Sequence, residues 1–186
     1  PTRRSSDLFY RKAVDKADSA DADVAAEDIL CKLKKARRPV FMIGHGAAGS
    51  AEKNLVRIAR EHHIPVITSV LARSVLSWDD PLNCGCIGGA YGHRYANMIA
   101  NAKSDLLVCF GISLCTRQIG TKVHEFAKNA EIVRVDIDPY NLQREIHEGG
   151  KDEKCFCVSA EEVAEKLLAD EKEIGSYGEW LSVCQR

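Results

Sequence analysis

A stretch of the chain from Asn83 to Gly120 combines the residue types of a ligand-binding cleft. It contains a glycine-rich loop at 88–92, an amphipathic helical pattern, an apolar run that ends before Gly111, and a polar loop that carries Arg117. In α/β proteins, ligands bind at the carboxyl ends of parallel strands, where glycines let backbone N–H groups approach a phosphate or a ring. The stretch therefore predicts a binding cleft and leaves the ligand open.

A second glycine-rich segment, 44–49, has the pattern G-x-G-x-x-G between an apolar strand pattern at 40–43 and a helical pattern that Ser50 can cap. This is the setting of a phosphate-binding turn. A dinucleotide-binding domain also needs an acidic residue about 20 positions further on, at the end of the second strand, to bind the ribose. The second strand pattern, 65–70, contains Thr68 and Ser69 near its end and no acid. The pattern disfavours an NAD-dependent dehydrogenase, and glycines that only allow a tight turn remain an alternative.

The histidines and carboxylates near these loops do not have the setting of a catalytic or metal-binding group. His45, Tyr91 and His93 lack an accompanying pair of carboxylates or a nucleophile motif, so they are interpreted as loop and packing residues. Asp136 and Asp138 follow a strand pattern, where helix capping and a ribose contact account for them better than metal ligation does. We therefore predict no catalytic and no metal-binding residue in this chain.

The composition limits the partners of the chain. It has 186 residues, 45% hydrophobic and 28% charged, with a formal net charge of −1, so no global field attracts nucleic acid or an anionic membrane. No apolar run reaches the roughly 18 residues of a membrane span, and no signal peptide is recognisable, which predicts a cytoplasmic protein. Four of the eight cysteines lie in C-x-C pairs, at 84–86 and 155–157, a spacing that disfavours a zinc site. An extracellular disulfide framework is typical of smaller secreted chains.

Strand and helix patterns alternate along the chain. Short apolar runs typical of buried strands lie at Val40, Val66, Leu106, Ile132 and Cys155. Helical patterns separate them, and one has a predicted apolar face of Tyr95, Met98, Ile99 and Ala102. This alternation predicts an α/β fold: a doubly wound, Rossmann-like parallel sheet of five to six strands with helices on both faces.

The two ends differ from this central unit. Pro1 to Leu8 resembles the translation of a short-read sequencing adapter, and a charged segment follows, so residues 1–22 are predicted to be a non-native start and a linker. Residues 23–170 are predicted to form the α/β domain. Residues 171–186 include Trp180 but no further element pattern, and we expect them to begin a linker to a missing C-terminal domain.

From about Ile29 to Leu168, the order of short motifs resembles the central domain of thiamine-diphosphate-dependent enzymes, specifically their acetolactate-synthase-like branch. Each motif is weak alone, but their order and spacing are specific. The motifs are Ala36–Val40, Gly44-x-Gly46, Ile64–Ser69, Asp80–Leu82, Gly88–Gly92 through Asn97, Ser104–Leu107, Arg117-x-x-Gly120 and Val135–Pro139.

The resemblance implies that the chain is one part of a larger enzyme. In that family a first domain supplies the glutamate that activates thiamine diphosphate, and a third domain binds the diphosphate and Mg²⁺ through a Gly-Asp-Gly-type motif. This sequence contains no Gly-Asp-Gly motif, so the chain itself is expected to be non-catalytic. The parent enzyme would decarboxylate a 2-keto acid such as pyruvate and join the product to an acceptor. Its partners would be its N- and C-terminal domains, in a homodimer or tetramer.

The resemblance also implies a cleft for FAD, which acetolactate synthases hold along the strand ends of this domain. The family's loop after the third predicted strand reads Gly-x-Arg-x-Asp-x-Arg, whereas here Ser113 and Cys115 replace the first arginine and the aspartate, and Arg117 remains. Losing an arginine removes a charge-assisted contact to a diphosphate, so flavin binding stays open. The predicted contact residues are Gly44, Gly46, Thr68, Ser69, Gly89, Tyr91, Gly92, Gly111, Ser113, Arg117, Asp136 and Ile137. A stand-alone NAD- or ADP-ribose-binding module and a structural domain with a vestigial cleft are the alternatives.

Overall fold

A computed structural model describes residues 19–150 and 152–185, so the adapter-like start and most of the predicted N-terminal linker lie outside the described residues. The described chain forms one six-stranded sheet in which every strand pairing is parallel. The strands are β1 (Pro39–Ile43), β2 (Val66–Thr68), β3 (Asn83–Cys86), β4 (Leu106–Phe110), β5 (Glu131–Val135) and β6 (Glu153–Phe156). Their spatial order is β3-β2-β1-β4-β5-β6, with helices on both faces, and the predicted fold class is confirmed.

Seven helices precede, connect or follow the strands among the described residues. They are α1 (Ser19–Lys35), α2 (Ser50–His62), α3 (Arg94–Met98), α4 (Thr116–Ile119), α5 (Pro139–Leu142), α6 (Ala160–Ala169) and α7 (Gly178–Cys184). Short 3₁₀ turns lie between them, and α3 continues into a π-turn at Ile99–Lys103. In the described part of the chain, no helix has both the length and the hydrophobicity to cross a bilayer.

The core lies around the two central strands. All five residues of β1 and all five of β4 are buried, as expected for parallel strands that have helices on both faces. Phe41 and Phe110 meet edge to face across this pair, with ring centroids 5.4 Å apart. On α2, Ala51, Leu55 and Ile58 are buried at helical spacing, and both α1 and α2 pack against α6.

A buried ion pair connects β5 to β6. Arg134 Nη1 lies 2.8 Å from Glu153 Oε1, and the two side chains are only 1% and 4% exposed. The terminal guanidinium nitrogens Nη1 and Nη2 also donate to the carbonyls of Arg144 and Asn141, and the second carboxylate oxygen accepts the N–H of Ile146 at 2.8 Å. Because a buried charge is costly without partners, this network fixes the segment between the two strands in one arrangement.

The strand β3 and the helix that follows it differ from the predictions made from the sequence. The strand β3 was not among the five predicted, because Asn83–Cys86 has neither apolar alternation nor β-branched residues. The predicted apolar face at 95–102 is wrong in three of its four residues: Ile99 is buried, whereas Tyr95, Met98 and Ala102 are exposed. Ala96 and Ala100 face the core instead, as small residues that let the helix approach the sheet closely.

The C-terminal segment also differs from the expected linker. Tyr177, Trp180 and Leu181 of this segment are buried. Trp180 Nε1 donates to the carbonyl of Pro39 at 3.0 Å, and the Tyr177 hydroxyl donates to that of Leu33 at 2.6 Å. The segment therefore belongs to the packed domain, because its aromatic side chains find both apolar surroundings and hydrogen-bond acceptors there.

Candidate ligand cleft

The candidate cleft lies at the carboxyl ends of the strands, where the sheet order reverses. Neighbouring strands β1 and β4 start the two halves of the sheet, so the chain leaves them in opposite directions along it. The residues that follow them directly are Gly44 and Gly111, both predicted contacts. In open α/β sheets, this switch point is the usual position of a bound ligand.

The two loops at the switch point pack against one another through their backbones. Gly44 N donates to the carbonyl of Phe110 at 2.9 Å, and Gly46 N donates to that of Gly111 at 3.0 Å. A Cβ at Gly44 would lie 2.0 Å from the Gly111 carbonyl oxygen. Gly111 has a φ of 55°, and its own Cβ would lie 2.4 Å from Ala47 N. Close packing of the loops is therefore sufficient to require these three glycines, without a phosphate.

The start of the following helix is not capped as predicted. The residue before α2 is Gly49, with a φ of 104°, and no side chain caps the helix. Ser50, the predicted cap, is instead the first helical residue, and its hydroxyl donates to the Glu161 carboxylate.

A second pair of loops joins the ends of β3 and β4. Gly89 N donates to the carbonyl of Arg117 at 3.0 Å, and a Cβ at Gly92 would lie 2.3 Å from Gly88 N. Asn97, one turn into the next helix, accepts the N–H of Gly88 at 3.1 Å and donates to its carbonyl at 2.7 Å. Asn97 lay within the family-like motifs but was not among the predicted contacts; its role is to hold the glycine loop in place.

Arg144, which was not predicted from the sequence, bonds to the loop after β4. Arg144 donates to the carbonyls of Ser113, at 2.7 Å, and of Leu114. Its pKa is lowered, mainly by burial and also by the nearby Arg134. No motif singled out Arg144, because its role depends on a tertiary contact between the segment after β5 and the loop after β4.

The side chains of the same loop turn toward each other. Ser113 Oγ lies 3.4 Å from Gln118 Oε1, which also accepts the N–H of Cys115 at 3.0 Å. This capping arrangement begins α4. Arg117 is exposed on that short helix, so of the family-like loop positions it is the one whose charge faces solvent.

Thr68 and Ser69 lie at the end of β2, next to the switch point. Both are buried, and Ser69 N donates to the carbonyl of Ile43 at 2.9 Å. The Thr68 carbonyl accepts the N–H of Ile87 at 2.9 Å, which links the end of β2 to the loop after β3. Their buried positions give them a structural role in joining three strand ends.

Asp136 and Ile137 lie at the end of β5 and have different surroundings. The Asp136 carboxylate is buried and accepts the N–H of Asp138 at 2.9 Å and the side-chain amide of Asn141 at 3.4 Å. Burial raises the pKa of the Asp136 carboxyl, and the bonds from Asp138 and Asn141 offset part of that rise. Asp138 caps α5 through the N–H of Tyr140, as predicted, whereas Ile137 is exposed.

A large cavity lies to one side of this cleft, next to the edge strand β3. It has a volume of about 760 Å³, and of the twelve predicted contacts only Thr68 lines it. Its walls include Arg73, Trp78 and the thiols of Cys84 and Cys184. Within the described residues, no group of three or more histidine, cysteine or acidic side chains is placed to hold a metal ion.

Comparison with known proteins identifies this arrangement of strand-end loops. The profile of the family described as "Thiamine pyrophosphate enzyme, central domain" matches residues 26–151, more than half of the chain. The chain belongs to this family. The match spans β1 to β5 and all the predicted contacts, so the sequence resemblance is confirmed.

Several curated proteins are similar to this central domain. Acetolactate synthase 2, chloroplastic, from Zea mays is 39% identical over 116 residues, 62% of this chain and 18% of that protein. The acetolactate synthase large subunit of Cyanidium caldarium is 34% identical over 111 residues, 59% of this chain and 18% of that protein. A probable acetolactate synthase large subunit from Methanococcus aeolicus is 30% identical over 116 residues, 62% of this chain and 19% of that protein. The chain thus spans less than a fifth of the length of these relatives.

The residues of this cleft do not fit a flavin whose diphosphate is bound by two arginines. Gly44, Gly46 and Gly111 face one another's backbones rather than an open cradle. Arg117 is the one cationic side chain among the predicted contacts, and the Ser113 hydroxyl is turned toward Gln118. A serine cannot replace the charge or the two parallel hydrogen bonds of an arginine.

Proposed function

We propose that this chain is the bracing central domain of an acetolactate-synthase-like enzyme. The parent enzyme, a lyase or transferase, would decarboxylate a 2-keto acid such as pyruvate and join the product to an acceptor. The observation that carries this proposal is the family match over residues 26–151, in which the matched sequence forms strands β1 to β5 of one parallel sheet. The names of the similar proteins, all acetolactate synthases, support the choice of reaction class.

The chain's own contribution is positional. Thiamine diphosphate, when bound with Mg²⁺ by other domains of the parent enzyme, supplies the electron sink for decarboxylation. The residues of this domain hold strand-end loops in fixed relation: Gly44 against Gly111, Gly89 against Arg117, and Asn97 against Gly88. A rigid set of loops at the carboxyl ends of the strands is suited to supporting neighbouring domains.

Exposed apolar side chains on these loops favour contact with other domains. Leu71 follows β2, Tyr91 follows β3 and Ile137 follows β5, and they are 76%, 83% and 70% exposed. Large apolar side chains exposed together at the carboxyl ends of the strands are typical of an interaction surface. We infer that the loops at the carboxyl ends of the strands contact the parent enzyme's N- and C-terminal domains in a homodimer or tetramer. FAD is not expected to be held tightly, and the cytoplasmic location remains a prediction.

A chimeric enzyme tests the bracing role. Residues 19–185, which include α1 and the packed C-terminal helix α7, replace the equivalent central domain of the maize acetolactate synthase, and acetolactate formation from pyruvate is measured. We expect a chimera that assembles, binds thiamine diphosphate and retains activity. The same chimera carrying Gly111→Val is the control, and it should lose assembly because of the backbone overlap at that position. A chimera that assembles and binds thiamine diphosphate but forms no acetolactate contradicts the proposal.

A further inference from the structure

Two cysteines that are distant in sequence lie in contact beside the large cavity. All eight cysteines are free thiols, and the side chains of Cys84 and Cys184 share a hydrogen bond. Both are half-buried at the edge of the core, and both line the cavity of about 760 Å³. Because this cavity is open to solvent, a small solute can reach the pair.

The two backbones that carry these thiols are fixed by separate contacts. Cys84 lies on β3, the strand at one edge of the sheet, and Cys184 is the last residue of α7. Gln185 Nε2 donates to the carbonyl of Pro81 at 2.8 Å, which joins the end of α7 to the turn before β3. The buried Trp180, bonded to Pro39, holds the same helix against the domain. The thiol contact is therefore built into the packing of α7.

The surroundings make the two thiols unequal. The hydrogen bond from Cys184 lowers the pKa of the Cys84 thiol, and a backbone N–H from Val66 lowers it further against the opposing effect of burial. The same hydrogen bond raises the pKa of Cys184, with burial and repulsion from Cys84 acting in the same direction. By contrast, burial raises the pKa of Cys109 to about 12. Cys84 is thus the favoured thiolate, and the thiolate is the nucleophilic form.

We propose that Cys84 and Cys184 are a redox-active pair that a peroxide oxidises to a disulfide. The Cys84 thiolate attacks one oxygen of hydrogen peroxide, the O–O bond breaks, and Cys84 sulfenic acid and hydroxide form. The Cys184 sulfur then attacks the sulfenic sulfur, the S–O bond breaks, and hydroxide leaves. The protons of the two thiols convert both hydroxides to water. Two thiols are oxidised by two electrons in total, and one peroxide is reduced to two water molecules.

The disulfide would tether α7 to the edge strand and to the loop that follows it. Strand β3 leads directly into the glycine loop at 88–92, which is bonded to Arg117. A covalent link between positions 84 and 184 closes a long loop that contains β4, β5 and β6, so it restricts the unfolded chain strongly. The position of both thiols on the wall of one cavity, with Gln185 bonded to Pro81 beside them, supports the pair independently of the proposed function.

Peptide mapping tests the pair directly in the 186-residue chain. The reduced chain is treated with one equivalent of hydrogen peroxide, alkylated, and digested with trypsin without reductant. We expect a reductant-sensitive species that joins peptide 74–94 to peptide 173–186, with fragmentation that places the bond at Cys84 rather than at Cys86. Oxidation should also raise the Tm by roughly 5–15 °C, as expected for a disulfide that closes a long loop in a domain of this size.

Two serine variants separate this pair from general thiol oxidation. Cys184→Ser, at the end of a helix, should lose both the cross-linked species and the rise in Tm. Cys31→Ser, which removes an exposed thiol elsewhere, should keep both. A Cys84–Cys86 bond, over-oxidation of Cys84 to a sulfinic acid without a cross-link, or an oxidised chain with an unchanged Tm each overturns the proposal.

Discussion

A Cβ atom added to Gly44 would lie 2.0 Å from the carbonyl oxygen of Gly111, so these two glycines define how closely the loops at the switch point approach. The contact joins the ends of the two central strands, β1 and β4. It explains the first part of the G-x-G-x-x-G pattern by backbone packing, within a fold whose topology is that of nucleotide-binding domains.

Gly44→Ala should therefore destabilise the domain severely. The added methyl overlaps backbone atoms on a neighbouring strand end, which cannot rotate away, and we expect a loss of about 3 kcal/mol in the free energy of unfolding. Urea denaturation followed by circular dichroism measures it. Gly175→Ala is the matched control, because a Cβ there meets nothing within 4 Å, and its effect should stay within about 0.5 kcal/mol. Equal effects of the two substitutions would show that the close approach does not matter.

Asn97→Ala should loosen the glycine loop after β3. Its side chain satisfies both the N–H and the carbonyl of Gly88, so removing it leaves two backbone groups without these partners, at a cost of about 1–3 kcal/mol. Hydrogen exchange should show faster exchange of the amides at 88–92. Asn129→Ala, at an exposed position, is the control and should leave that exchange unchanged. Unaltered protection of the loop in Asn97→Ala would refute its positioning role.

Breaking the buried ion pair of Arg134 and Glu153 should lower the free energy of unfolding more than breaking a surface pair does. Arg134→Met leaves Glu153 charged and buried, and we expect roughly 3–5 kcal/mol of destabilisation. Lys122→Met removes an exposed pair with Glu125, 3.6 Å long, and should change stability by less than about 1 kcal/mol. Adding Glu153→Gln to Arg134→Met should restore part of the loss, since the unpaired charge is then absent. A double variant less stable than Arg134→Met would contradict this explanation.

Alkaline stability should depend on Tyr177. Burial, with repulsion from Asp105, raises the pKa of Tyr177 to about 12, whereas a tyrosine in the unfolded chain has a pKa of about 10. Between these values the folded chain binds more protons, so stability is lost as pH rises through that window, by roughly 2–3 kcal/mol. Tyr177→Phe should remove the tyrosine contribution and so make this slope shallower, and it should cost about 1 kcal/mol at neutral pH through the lost bond to Leu33. Tyr91→Phe, at an exposed position, is the control and should keep the full slope. An equal loss of slope in Tyr91→Phe would contradict the role of Tyr177.

The features that could be predicted from the sequence are those with a local residue pattern. Continuous apolar runs at 40–43 and 106–110 predicted the central strands, because such runs bury both faces of a parallel strand. Ordered motifs predicted the family, which the profile match confirmed. Asp138 was predicted as a helix cap because its signal, an acid followed by proline, is local.

The missed features are those that depend on tertiary contacts. Strand β3 is paired on one side only and contains Gly85, so its sequence lacks a strand pattern. Trp180 in the C-terminal segment is buried and bonds to Pro39, 141 residues earlier in the chain. Arg144 supports the loop at 113–114 from a segment about 30 residues away, a distance in sequence over which no periodicity applies. The glycines were found correctly as special positions, but their packing partners could not be read from spacing.

The most direct test is a thermal-shift titration of the 186-residue chain with thiamine diphosphate and Mg²⁺, with FAD, ADP and NAD measured in parallel. If this chain is a bracing domain whose parent enzyme builds the thiamine site elsewhere, thiamine diphosphate with Mg²⁺ should leave the Tm unchanged. A shift with NAD alone would favour a stand-alone nucleotide-binding module. A saturable rise in Tm with thiamine diphosphate that requires Mg²⁺ would contradict the assignment of this chain as a non-catalytic central domain.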